Sequence, residues 1–224
     1  TYNIRYDIWI CINIYIYNLV NLEGLSAMTM LSNTSKMPGK SISLDARKCI
    51  TGSILAKVKG SVCEDCYALK GSYRYPVVMN KMQERMEFFN ASNFIAAMVV
   101  FLDKTKSDYF RWFDSGDVQS VKMCLDILEV CDKTPNKKHW IPTKEHKLWK
   151  EALKTRALPD NVVLRFSAYM IDKAPSKNWR WSSAVVRDAA PIGFECKAPS
   201  QEGKCKDCRA CWSRDIKTVS YHKH

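Results

Sequence analysis

Four cysteines late in the sequence have the spacing to close round one metal: Cys196, then Cys205, Cys208 and Cys211 in a C-x2-C-x2-C run. Ferredoxin-type iron–sulfur sites use such a run with one remote cysteine. Zinc sites more often pair two C-x2-C knuckles across a longer loop. A second knuckle stands at Cys63 and Cys66, so both chemistries are open. Cys49, separated from Cys63 by thirteen residues, is a possible seventh ligand. Seven thiolates suffice for one [4Fe–4S] cluster with spares, or for two centres, one of which keeps an open position. His222 and His224 follow the tail closely enough to complete a shell. His139 and His146 read as surface or capping residues.

The sequence holds ten cysteines in 224 residues, and a disulfide framework is the competing account. No signal peptide is visible, the chain is long enough for a real core, and the cysteines sit at metal-type spacings. These features imply a reducing, cytosolic compartment. Residues 1–27 contrast with the rest: Ile8–Val20 is almost wholly Ile, Tyr, Asn, Trp and Leu. That segment is expected to be an upstream-translated leader, with an edge strand as the structural alternative. Its apolar run falls short of the roughly 20 residues of a membrane span, so no membrane role is expected.

The elements that must position the thiols are read from periodicity. Residues 28–224 are expected to form a single α/β domain with a cysteine-rich segment at 196–224. The stretch between Cys49 and Cys63 reads as a loop or short hairpin. Met79, Met82, Met86 and Phe89 mark a helical face, and a second helix follows through Leu102. Strands are expected at Tyr109–Phe113, His139–Ile141, Asn161–Phe166 and Ser183–Val186, with an edge strand over Ile216–Tyr221. Cys124 and Cys131 lie on a helix between the first two and read as core. Strands alternating with helices predict a partial (β/α) barrel or an open, mostly parallel sheet with cysteine-rich loops at both ends.

Such folds place their sites at the carboxyl ends of strands, which draws attention to Asp114, Ser115, Gly116 and Asp117. Gly116 would let the backbone approach a ligand, and Asp117 could accept hydrogen bonds from it. The alternative is a turn in which Asp117 caps the next helix. The formal charge of +12 suits a polyanionic partner. Residues 133–156 carry eight Lys or Arg against two Glu. They are a candidate nucleic-acid face, with Trp140 or Trp149 for stacking, or else the solvated side of a helix.

Three passages resemble the phage gene product eighty-eight-like proteins. They are Cys63-x2-Cys66-Tyr67-Ala68 with Gly71, Arg111-Trp-Phe-Asp-Ser115-Gly116-Asp117, and Cys205-x2-Cys208-x2-Cys211-Trp212 with Val219, Tyr221 and His224. The first is also similar to an element of phage proteins related to radical-SAM enzymes. That likeness implies a [4Fe–4S] cluster held by three cysteines, with S-adenosylmethionine on the fourth iron, and puts Ser115, Gly116 and Asp117 beside that cofactor. The radical-SAM pattern has three closely spaced cysteines, whereas Cys49 stands apart here. An iron–sulfur protein of a phage-infected host, acting on a nucleotide or nucleic acid, is one expectation. A zinc- or cluster-stapled nucleic-acid-binding module is the other.

Overall fold

A computed structural model describes residues 30–223; the expected leader at 1–27, and His224, lie outside them. The described strands are β1 (Ser32–Asn33), β2 (Lys40–Ile42), β3 (Tyr109–Trp112), β4 (Lys138–Thr143), β5 (Val162–Ser167), β6 (Trp181–Val186), β7 (Phe194–Glu195) and β8 (Thr218–His222). They form one sheet in the order β1-β2-β3-β4-β5-β6-β8-β7. Apart from the antiparallel β1–β2 pair, every neighbouring pair is parallel. The sheet is open, with two-residue strands at both edges, and not a closed barrel. The expected α/β class with a mostly parallel sheet is what the chain adopts.

Strand order follows chain order from β2 to β6, so each crossover steps in one direction. With right-handed crossovers, the helices collect on one face. They are α1 (Ile50–Leu55), α2 (Pro76–Asn90), α3 (Phe94–Asp103), α4 (Val121–Lys133) and α5 (His146–Thr155). Alternation along the strands divides the side chains. Phe110, Trp112, Ile141, Val162, Leu164 and Phe166 join Phe88, Phe94, Phe101, Ile127 and Trp149 in the helix-side core. Arg111, Trp140 and Arg165, on the intervening positions, point to the other face. There Trp212 covers the sheet: its indole N–H donates to the Phe110 carbonyl at 2.9 Å, and its ring meets Trp140 edge-on at 5.2 Å.

Local chemistry explains the elements. In α4, Cys124, Ile127, Leu128 and Cys131 follow an i, i+3, i+4, i+7 pattern, and all are fully buried. Both cysteines are core residues, as expected. Ser120, not Asp117, caps this helix by accepting from Met123 N at 3.1 Å. Two further expectations give way. The loop between Cys49 and Cys63 contains the short helix α1, held by a long-range bond that local sequence does not reveal. The last strand, β8, runs between β6 and β7 and is not an edge, because the two-residue β7 pairs along its outer side.

No single described helix is long and apolar enough to cross a membrane. The bent pair α2–α3 passes a length and composition test, but Phe88, Phe89, Phe94 and Leu102 bind it into the core.

Candidate metal centres

The seven expected ligands fall into two groups. Cys49, Cys63 and Cys66 gather beyond the carboxyl ends of the central strands, each suspended from a different one. Cys49 precedes α1, and Glu145, just past β4, fixes that helix: its two carboxylate oxygens accept from Thr51 N and Thr51 Oγ1, both at 2.7 Å. Cys63 follows a segment paired with the chain beyond β5, where Val62 N donates to Tyr169 O and Ile171 N to Gly60 O, both at 2.9 Å. Within the knuckle, Ser61 Oγ accepts from Cys63 N at 3.2 Å and from Glu64 N at 3.0 Å. Cys66 is tied to the end of β3 through the next residue, since the Tyr67 hydroxyl donates to the Asp114 carbonyl.

Gly52 lies between two of these thiols. A Cβ there would stand 2.8 Å from Cys49 Cβ and 3.9 Å from Cys63 Sγ, so only glycine leaves the space clear. Burial pushes the Cys49 and Cys63 thiols above their ordinary range; the positive field of Lys144 opposes it at both. Cys66 adds to the rise at both, and Cys63 to that at Cys49. Their shared field is what one anionic centre, or a bound cation, would exploit.

The second group lies on the face opposite the helices. Cys196, Cys205, Cys208 and Cys211 line a single cavity of about 20 Å³ with Phe194, Ala210 and Trp212. That is room for about one water-sized body. Backbone bonds hold the loop: Cys196 N donates to Ser220 O at 2.8 Å, Cys205 N to Lys36 O at 2.8 Å, and Cys208 N to Cys205 O at 2.9 Å. Cys211 Sγ lies 3.1 Å from the Tyr221 hydroxyl. Burial drives the Cys211 thiol up to about 11, with Tyr221 and Arg165 pulling it back.

The charges around this cavity test whether it suits a metal. Arg165 is fully buried, and its guanidinium donates to the carbonyls of Ser182, Lys217, Ala210, Ser213 and Ile216. Among the described residues no carboxylate pairs with it, and its Nε has no partner. The nearest acidic groups acting on it are Tyr221 and Cys211. Arg111, stacked 4.5 Å over Trp140, also has an unpartnered buried Nε, and its field reaches Cys205 and Cys211. Buried cations require counter-charge. A metal with four thiolates carries net negative charge and would supply it, so the donor set and its surroundings fit. As placed, no three His, Cys, Asp or Glu side chains among the described residues stand at metal-holding geometry. Binding therefore requires the side chains in each group to draw together.

Ser115, Gly116 and Asp117 do join the strand ends near the first group, but through bonds to protein. Ser115 Oγ donates to Leu44 O at 3.0 Å, and Leu44 N donates to Ser115 O at 2.9 Å. Gly116, at φ +77°, lies so close to Leu44 that a Cβ would come within 2.7 Å of its backbone. Asp117 Oδ1 accepts from Val118 N and Thr143 Oγ1 at 2.8 Å each, and Oδ2 accepts from Lys144 N at 2.7 Å. Burial outweighs those bonds and raises its carboxyl to about 7. These residues lace the loops after β2, β3 and β4 together, and so set where Cys49 and Lys144 stand.

The basic stretch 133–156 offers no stacking surface. Trp149 is fully buried under α5 and Trp140 is packed beneath Trp212, because each falls on the inward side of its element. Lys133, Lys154 and Arg156 are in ion pairs. Lys137 is buried and donates to the carbonyls of Thr105 and Ser107. Of the histidines, His139 is a core residue and not a surface one. It accepts from Trp112 Nε1 at 3.2 Å and meets Thr134 Oγ1 at 3.0 Å. His222 pairs with Glu195 at 2.8 Å.

Glu145 and Arg165 were not singled out in the sequence, and Arg111 and Lys144 entered it only as members of a motif and of the basic stretch. Arg165 left a visible signal, as one charge inside the apolar run Val162–Phe166. Glu145 left only its place after a strand.

The family model for gene product 88 matches residues 23–214. The chain therefore belongs to that family, the one its three motifs resemble. No curated protein and no solved structure matches the chain. The comparisons extend no support to a likeness with radical-SAM proteins.

Proposed function

We propose that this protein is a thiolate metalloprotein with two unlike centres. Cys196, Cys205, Cys208 and Cys211 close round one tetrahedral ion, for which zinc is the natural choice given the small cavity and four sulfur donors. Cys49, Cys63 and Cys66 hold a [4Fe–4S] cluster. The observation that carries this reading is the division of seven cysteines into a set of three and a set of four on different parts of the sheet.

Three thiolates leave one iron of such a cluster free to bind a small molecule, S-adenosylmethionine among the candidates, and to supply electrons to it. The chain's own contribution is placement. Glu145 fixes Cys49 through Thr51, the strand pairing at Ser61 fixes Cys63, and Tyr67 fixes Cys66. Lys144 favours the ionised thiols by its charge. An enzyme acting at this open end of the sheet is the activity these features support best.

The test is metal and sulfide analysis with absorption spectra on anaerobically purified protein, beside Cys66→Ala and Cys208→Ala. Iron and sulfide should be present in equal amounts and vanish in Cys66→Ala, which keeps its zinc. Cys208→Ala should lose the zinc. Full iron and sulfide in Cys66→Ala would overturn the assignment.

A further inference from the structure

Among the described residues, the large apolar side chains left exposed are not scattered. All but one fall between residues 50 and 77, on the segment that carries Cys63 and Cys66 and opens just after Cys49. Ile54 is 66 % exposed, Tyr67 60 %, Tyr75 61 % and Val77 72 %. The exception, Tyr169, has its ring against His146 at 5.2 Å and its hydroxyl donating to the Lys144 carbonyl at 3.1 Å. A concentration of this kind marks an interaction site.

Cations are interleaved with these groups. Residues 45–78 hold six Lys or Arg (Arg47, Lys48, Lys57, Lys59, Lys70 and Arg74) against three acids. Arg47 pairs with Asp45 and Lys70 with Asp65. Lys48, Lys57, Lys59 and Arg74 ion-pair with nothing among the described residues. Beside Cys49, the turn at Ala46–Lys48 and the first half of α2 enclose a cleft of about 450 Å³ lined by Asp45, Arg47, Lys48, Met79, Asn80 and Gln83. That is the size of a small-molecule pocket; Asp45 is held by Arg47 and the Gln83 amide by Glu87, which leaves Lys48 and the Asn80 amide as donors suited to a phosphate and a base edge.

We infer that this surface is a docking face for a single-stranded nucleic acid, with phosphates along Lys48, Lys57, Lys59 and Arg74, bases against Tyr67 and Tyr75, and one nucleotide in the cleft. Cationic tracks interleaved with exposed aromatic rings are how unpaired strands are gripped without sequence readout. An apolar partner helix or a bilayer would leave the polar lining of the cleft unpaired, which disfavours both. The inference rests on the two-centre reading only for what the strand is held against; the docking itself needs no metal.

The experiment is fluorescence anisotropy of the full chain with labelled oligo-dT and oligo-rU of about 15 nucleotides, in a salt series, on preparations whose iron, sulfide and zinc are measured. Binding should weaken steeply with salt. Lys57→Glu with Lys59→Glu should raise Kd about tenfold or more through lost phosphate contacts, and Tyr75→Ala about tenfold through lost stacking. Lys147→Glu with Lys150→Glu on α5 makes the same charge change elsewhere and should leave Kd within about twofold. All these positions are exposed, so the variants keep the fold. Preference for either DNA or RNA supports the inference. It is overturned by an absence of salt-dependent binding, by an equal loss in the α5 variant, or by binding to anionic vesicles but not to oligonucleotides. Binding by metal-free preparations would leave it standing while the two-centre reading fell, and cluster-loaded protein that ignores oligonucleotides would do the reverse.

Discussion

The two cysteine groups use the same local device, a C-x2-C turn, in opposite settings. The group of four lies on the face away from the helices, enclosed by Trp212, Phe194 and Ala210 and ringed by arginines without carboxylate partners. The group of three hangs beyond the strand ends, where, among the described residues, every exposed large apolar side chain but Tyr169 lies on its own segment. One setting is a small, mostly apolar cavity. The other adjoins an exposed surface. Closure suits a metal that holds structure, and openness suits one that reacts.

The largest way to break this comparison is to remove one ligand from each side. Cys208→Ala should abolish zinc and lower the unfolding midpoint severely, because metal binding at a structural site contributes directly to folding. Cys66→Ala should lose iron and sulfide while melting close to the wild type. Equal destabilisation, measured by thermal denaturation, would remove the distinction between the centres.

Next in size is the counter-charge. Arg165→Met should cost about 3 kcal/mol, since five carbonyls lose a charged donor. It should also weaken zinc retention against a chelator and leave iron and sulfide unchanged. Loss of iron in this variant would mean that the two centres are not independent.

Acidification acts on the sheet that both centres share. Burial lowers His139 to about 3 from the ordinary 6.5, so its stabilising contribution is complete above pH 6.5 and is lost as pH falls toward 3. Asp117 is raised from 3.8 to about 7, so its contribution is complete below pH 3.8 and is lost as pH rises toward 7. The two oppose each other between pH 7 and 5. This pair should change wild-type stability little there, and stability should fall below about pH 4, where Asp117 no longer offsets His139 and the carboxyls held low at Asp45, Asp65, Asp172 and Glu195 become protonated. Asp117→Asn removes the compensation and should lose about 2 kcal/mol between pH 7 and 5 by urea denaturation. A variant as level as the wild type would contradict the buried placement of His139.

The smallest effect on stability should come with a complete effect on the open centre. Gly52→Ala gains up to about 1 kcal/mol of helix propensity in α1. Its methyl would nonetheless stand against Cys49 Cβ at 2.8 Å. The variant should melt at or near the wild-type temperature with zinc intact and iron absent. Retained iron would show that Cys49 is not a ligand.

Much of this was legible without coordinates. The C-x2-C spacings mark both knuckles because a tight turn is a local property of four residues. The parallel sheet followed from strands alternating with helices, and the core placement of Cys124 and Cys131 from the apolar character of a free cysteine on a helix. The short helix α1 was not legible, because its hold on the sheet is a bond from Thr51 to Glu145, 94 residues away. Nor was the interior position of β8, which depends on what pairs along its far side. The place of Trp140 and Trp149 was not legible for a related reason: composition shows that they sit among lysines, but strand and helix phase turns both inward.

The sequence by itself marked which residues are candidate metal ligands, since thiolate chemistry and turn geometry are written in neighbouring positions. Only the tertiary structure decided which of them belong together. Cys49, Cys63 and Cys66 lie together because β3, β4 and β5 end side by side. Cys196 joins Cys205, Cys208 and Cys211 because its amide bonds to β8 and the amide of Cys205 to Lys36. Those adjacencies are set by the order of strands in the sheet, a long-range outcome of burying one apolar face, and no short stretch of sequence carries it.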